Sequence, residues 1–323
     1  MSSTLKQKTV RGLFWSFVDN LSLSIIAFVI GIVLARLLSP EEYGLIGMTA
    51  IFISLSASFV NSGFSSALIR KINCSEKDYS TIFYFNCAVG IIFFIILFFS
   101  APLISQFFNQ PQLKALVKVL AFVLIIDSFT IIQRTILTKR IEFKVLMKIS
   151  VIASVISGAI AIFMALRGFG VWSLVAHQIT QRGIDALLLW FWNSWRPSLV
   201  FSVRSFKELF SFGWKLLVSG LIDTAYRNIY SLIIGKFYSA AELGHFSKAQ
   251  TFQRLPSENL SGVIGRVSYP VLASIQDDIP RLKTSYQSLI RSTMFITFLL
   301  MLGMAAVAEP MIITLTGEKR RPS

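Results

Sequence analysis

Two cysteines in 323 residues, Cys74 and Cys87, leave no material for a disulfide framework or a thiolate metal cluster. The two histidines, His177 and His245, stand far apart, and neither has metal-ligand spacing. His177 reads as a packed helix residue. No GxxxxGK[ST] loop is present, which excludes ATP hydrolysis by that route. Charged residues are only 15% of the chain, against roughly 25% in a soluble domain. Acidic residues are scarcer still, 16 against 31 basic ones, giving a net charge of +15. That charge is spread over many loops and collects on no single face, so nucleic-acid binding is excluded. No polar stretch is long enough for a catalytic domain, so a membrane glycosyltransferase or polymerase is excluded and no cofactor is expected. No small-residue cleavage site follows the short basic N-terminus, so the first apolar run is expected to be a retained span.

What is there is apolar. Hydrophobic residues make up 54% of the chain, and mean hydropathy is +0.67. Nine runs are long enough to cross the hydrocarbon as helices, at 13–35, 44–69, 80–104, 113–133, 149–166, 169–192, 212–234, 244–270 and 288–311. The fold class is therefore an all-α membrane protein with nine transmembrane helices. Seventeen basic residues fall in loops on one side and five on the other. The positive-inside rule then puts the N-terminus in the cytoplasm. The segment 137–148 mixes cationic and apolar residues at helical spacing and is expected to lie along the cytoplasmic interface.

One sentence of the sequence is written twice. LARLLSPEEYGLIGMT (34–49) returns as IGKFYSAAELGHFSKA (234–249), an offset of 200 residues without a gap. Ser39 aligns with Ser239, Glu42 with Glu242 and Gly44 with Gly244, and apolar runs flank both copies in the same order. The pattern predicts an internal duplication of a membrane unit. Spans one and seven are six crossings apart, so the copies run in the same direction. The expectation is two parallel-repeat bundles, 1–196 and 197–323, facing a central cavity. A second copy of full length would need about 400 residues, so the second bundle is expected to be incomplete, with three of six or more helices.

Ionisable groups at membrane depth are expensive, so each needs a reason. Span one carries Ser16, Asp19, Asn20 and Ser24, a polar stripe at helical spacing. Such stripes more often glue helices than line a path; Asp19 shifts that balance and is the candidate coupling acid, with Asn20 and Asp223. Span seven carries Lys215, Ser219, Asp223 and Arg227, every fourth residue, and span eight Lys248, Thr251, Arg254 and Glu258. Lys215, Arg227, Lys248 and Arg254 give an excess of positive charge that suits a phosphate-bearing substrate. Arg182 and Asp185 in span six are expected to neutralise each other, and Asp127 in span four is open between a structural and a functional role.

The basic start with FWS, then LARLLSPEEYGLIGM and NSGFSSALIRK, resembles the opening of bacterial polysaccharide flippases of the Wzx type. VSYPVLASIQDDIPRLKTSYQSLIRS and LTGEK resemble the matching part of that family's second half. More distantly the chain is similar to multidrug and toxin extruders. The resemblance implies two helical bundles about a cationic cavity in the bacterial inner membrane. It implies movement of undecaprenyl-diphosphate-linked oligosaccharide to the outer leaflet, with the cations on the diphosphate and an ion gradient driving the cycle. The implied partners are the lipid-linked oligosaccharide, membrane lipid, and the polysaccharide polymerase and chain-length machinery. The family continues past GEK, whereas here Arg320-Arg321-Pro322-Ser323 follow. The rival expectations are a cation-coupled multidrug antiporter of the same fold and an inactive truncated product.

Overall fold

Helix starts are written locally. Ser39 precedes Pro40, and Glu42 follows three residues on, the S-x-x-E pattern of a capping box with proline in the first turn. In the computed structural model, which describes residues 3–61, 63–71, 73–251, 253, 278–308 and 310, that box is formed. The Ser39 amide donates to Glu42 Oε2 at 2.6 Å, and the Glu42 amide donates to Ser39 Oγ at 3.3 Å. It separates α1 (Ser3–Leu37) from α2 (Pro40–Asn61).

Seven helices follow in the same compact unit: α3 (Phe64–Arg70), α4 (Glu76–Phe107), α5 (Leu113–Leu120), α6 (Phe122–Lys139), α7 (Phe143–Leu166), α8 (Val171–Trp192) and α9 (Val203–Phe237). A further helix, α10, begins at 240 and runs to 251. The chain divides into two units, Met1–Ser247 and Lys248–Ser323. Within the second, α11 (Ile279–Ala306) is the long apolar element.

Among the described residues, six segments are long and apolar enough to cross a membrane: Val18–Leu37, Pro40–Arg70, Glu76–Phe107, Leu113–Lys139, Phe143–Leu166 and Ile279–Ala306. Span two is thus α2 and α3 joined through Gly63, and span four is α5 and α6 end to end. The helices α8 and α9 match the sixth and seventh runs but carry more charge. Most of the eighth run, 254–270, lies outside the described residues.

Solvent choice shows in the surface. Ile91, Ile92, Ile95, Ile96 and Phe99 on α4 face outward, as do Val155, Ile156 and Phe163 on α7. Rows of this length are carried by lipid contact rather than water. Inward, α7 turns Ala153, Ser154, Ser157, Gly158 and Ala161 toward α1 and α8, the small residues that let helices approach in a bilayer. The core centres on Phe64, 1% exposed, with Phe85, Phe206 and Phe210 around it.

The segment 137–148 is not an interfacial helix. α6 ends at Lys139, the chain turns through Arg140, Ile141 and Glu142 with Ile141 at φ 61°, and α7 starts at Phe143. Lys139 ties the end of α6 to α3 instead. Lys139 Nζ donates to the Leu68 and Lys71 carbonyls, satisfying the last acceptors of α3. Lys71 in turn reaches Asp78 on α4 at 3.2 Å and Glu208 on α9 at 3.0 Å. Desolvation pulls the Lys71 ammonium down, but the hydrogen bonds to Glu208 and Asp78 outweigh it and hold the group above the usual lysine range. Its contribution to stability is therefore full below the ordinary lysine pKa and is lost only as pH rises through the raised value.

Candidate functional site

Polar groups inside the first unit gather in one place. Helices α1, α2, α3, α6, α7 and α8 line a half-open cavity of about 580 Å³. Asp127 and Arg134 reach it from α6, seven residues apart and so on one face, and Arg182 and Asp185 reach it from α8. Asn61, Thr130, Thr138 and Gln181 add amides and hydroxyls to its wall.

The four charges pair across the helices. Arg134 Nη2 lies 2.7 and 2.6 Å from the two carboxylate oxygens of Asp185. Arg182 Nη1 lies 3.6 Å from Asp127 Oδ1. The expected pairing of Arg182 with Asp185 is therefore corrected. The two stand side by side on α8, but α6 offers each an opposite charge at closer range than its own neighbour. Arg134 lies inside α6, near the end that the loop charges predict to be cytoplasmic. A complementary spacing was the available signal: Asp and Arg seven apart on one helix, Arg and Asp three apart on another. His177 sits on the same face of α8 as Gln181 and Asp185, at helical spacing, and its Nε2 is buried with no hydrogen-bond partner among the described residues.

The candidate ion-coupling residues stand on two helices, α1 and α9. Asp19 is half-buried on α1, one turn before Leu23 of the cavity wall. Asn20 is exposed, and its carbonyl accepts from Ser24 Oγ. Asp223 pairs with Arg227 on α9 at 2.8 Å, with both side chains more than half exposed. Lys215 is exposed on the same stripe of α9, turned away from the buried face formed by Leu209, Gly213, Ser231 and Gly235. Lys248 is half-buried at the start of the second unit, and Arg254 and Glu258 lie outside the described residues. Of the four predicted phosphate-binding cations, Lys215 and Arg227 share α9 in the first unit.

The two copies of the repeated sentence do meet. The second copy forms the same capping box: the Ser239 amide donates to Glu242 Oε2 at 3.0 Å, and the Glu242 amide donates to Ser239 Oγ at 3.1 Å. The helices that follow, α2 and the part of α10 before residue 248, cross with their backbones in contact. A Cβ placed on Gly44 would lie 1.7 Å from the Ala240 carbonyl oxygen, and one on Gly244 would lie 1.8 Å from the Pro40 carbonyl oxygen. Residues 40 and 240, like 44 and 244, are equivalent under the 200-residue offset, so the contact is reciprocal. Further along, Ser58 Oγ and Thr224 Oγ1 join α2 to α9 at 3.0 Å.

Known proteins bear on this arrangement. The chain is 28% identical to the teichuronic acid biosynthesis protein TuaB of Bacillus subtilis over 99% of its length. It is 24% identical to the lipopolysaccharide biosynthesis protein WzxC of Escherichia coli over 98%, and 25% identical to the succinoglycan biosynthesis transport protein ExoT of Rhizobium meliloti over 99%. It spans 66%, 65% and 65% of those proteins' own lengths. In fold it is similar to a multidrug resistance MATE family transporter in an inward-facing conformation, with TM-score 0.68 and 17% identity over 93% of this chain and 75% of that one. The multidrug transporter DinF-BH gives TM-score 0.53 with 16% identity over 97% of this chain and 74% of that one. The model of the family described as polysaccharide biosynthesis protein matches residues 33–323, nine-tenths of the sequence, and the chain belongs to that family.

Proposed function

We propose that the chain moves undecaprenyl-diphosphate-linked oligosaccharide from the cytoplasmic to the outer leaflet of the bacterial inner membrane by alternating access. The observation that carries this reading is the family match over residues 33–323. The name of one relative, a succinoglycan biosynthesis transport protein, fits it. The residues 1–196 and those from 197 onward form two like-directed bundles, related by an axis along the membrane normal, and the reciprocal contact of Gly44 and Gly244 supports that relation. The N-terminus lies in the cytoplasm, by the charge of the loops. No chemical step is involved; the polymerase and chain-length machinery would act on the delivered cargo.

In this reading Lys215, Arg227, Lys248 and Arg254 receive the diphosphate. Arginine forks match phosphate oxygens in geometry and charge. The Asp223–Arg227 pair is exposed and therefore weakly held, so an incoming diphosphate can displace the carboxylate. Asp19, Asn20 and Asp223 serve the coupling ion. The fold shared with multidrug transporters favours one rival, a cation-coupled antiporter, but the excess of Lys215, Arg227, Lys248 and Arg254 over Asp223 and Glu258 in spans seven and eight argues against a cationic drug.

The test is export in a bacterium whose own copy of the gene is deleted. The wild-type chain restores surface polysaccharide. Replacing Arg227 and Arg254 together by alanine is expected to cut export about tenfold or more at equal protein level, because two charge-assisted contacts to phosphate are lost. Undiminished export by the double variant removes the phosphate role.

A further inference from the structure

We propose that the cavity inside the first unit holds the sugar part of the cargo, reading its hydroxyl groups through Asp127 and Arg182, while the diphosphate stays outside it. This rests on the exporter reading above. The volume of about 580 Å³ lies within the roughly 300–1,000 Å³ typical of small-molecule sites and has room for a short oligosaccharide.

Charge decides against the diphosphate there. The cavity holds two guanidiniums and two carboxylates, so its net charge is zero. A diphosphate drawn to these guanidiniums would compete with Asp127 and Asp185, whose side chains are 18% and 11% exposed and would lose their partners. A cation would have to compete with the guanidiniums for the same two carboxylates. A neutral polyhydroxyl group meets neither obstacle. Each sugar hydroxyl can donate to a carboxylate and accept from a guanidinium, and the charges stay balanced. The amides and hydroxyls of Asn61, Gln181, Thr130 and Thr138 extend the same chemistry round the wall.

The two ion pairs divide the labour. Arg134 and Asp185 are closed on each other at 2.6 Å, and the Asp185 side chain is 11% exposed. They hold α6 to α8. Asp127 and Arg182 stand 3.6 Å apart, beyond hydrogen-bond reach, and the Arg182 side chain is 56% exposed. That pair keeps unused donors and acceptors facing the cavity, and a hydroxyl inserted between them bonds to both.

The experiment compares two probes on the purified full chain, farnesyl diphosphate and the same lipid diphosphate carrying a neutral disaccharide. Wild type is expected to bind the glycosylated probe at least about tenfold more tightly, the discrimination of a site built around hydroxyl contacts. Asp127→Asn and Arg182→Gln should each bring that ratio close to one, with the affinity for farnesyl diphosphate and the melting temperature unchanged. The exchanged pair, Asp127→Arg with Arg182→Asp, keeps the charge balance but should not recover the ratio; recovery would mean a structural pair and overturn the proposal. A ratio that persists in the single variants, or a parallel loss of both probes, also overturns it. Persistence with intact diphosphate binding leaves the exporter reading standing. Failure of wild type to bind either probe defeats both.

Discussion

Replacing Gly44 by alanine is expected to destabilise the protein by about 3 kcal/mol, at the upper end for overpacking, because backbone rather than a side chain stands in the way. The added methyl would lie 1.7 Å from the carbonyl oxygen of Ala240, and no rotamer change can relieve that. The two helices must separate, and the close packing at Gly47, where an added Cβ would lie 3.0–3.2 Å from Ser247 and Leu243, opens with them. Gly244→Ala meets Pro40 in the same way and should cost a similar amount. The double variant should cost less than the sum, since one separation serves both methyls. Gly31→Ala is the control: nothing lies within 4 Å of its added Cβ, and helix propensity makes the change neutral or stabilising by up to about 1 kcal/mol. Equilibrium unfolding in detergent measures all four. Equal stabilities for the Gly44 and Gly31 variants would mean that the backbones do not touch at this crossing.

Asp185→Ala is expected to cost about 3 kcal/mol, the lower end for breaking a buried pair, because the Arg134 side chain is 42% exposed and can partly solvate its charge. The fault lies in what remains: a guanidinium held inside α6 with its carboxylate removed. Arg134→Met combined with Asp185→Leu should recover most of the loss, since neither charge is then stranded. The cycle should give a coupling energy of about 2 kcal/mol between the two positions. Additive single losses would show that each residue works alone.

Local rules carried part of this fold in the open. The spacing Ser-x-x-Glu announced both capping boxes, and the same pattern with aspartate, Ser75 to Asp78, starts α4. Apolar runs announced the helices, and the alignment of 40 with 240 and 44 with 244 announced which backbones would correspond. It could not announce that they would touch. Gly63, with φ +67°, divides span two into α2 and α3, a backbone choice that hydrophobicity does not encode. The basic segment 137–148 has helical spacing, yet an αL residue at Ile141 turns it back on itself, and its lysine is spent on the carbonyls of α3. The cavity was hidden for a related reason. Arg182 and Asp185 looked self-sufficient because sequence reveals neighbours on one helix, whereas their partners, Asp127 and Arg134, stand about fifty residues away on another.

The central claim is that this chain carries a lipid-linked glycan across a bilayer. Its most direct measurement places the full chain in sealed vesicles with labelled undecaprenyl-diphosphate disaccharide and follows the fraction of label open to an external glycosidase. The account predicts exchange between leaflets well above that of protein-free vesicles, with Asp127→Asn and Arg182→Gln slowing it. Exchange no faster than in vesicles without protein would contradict it.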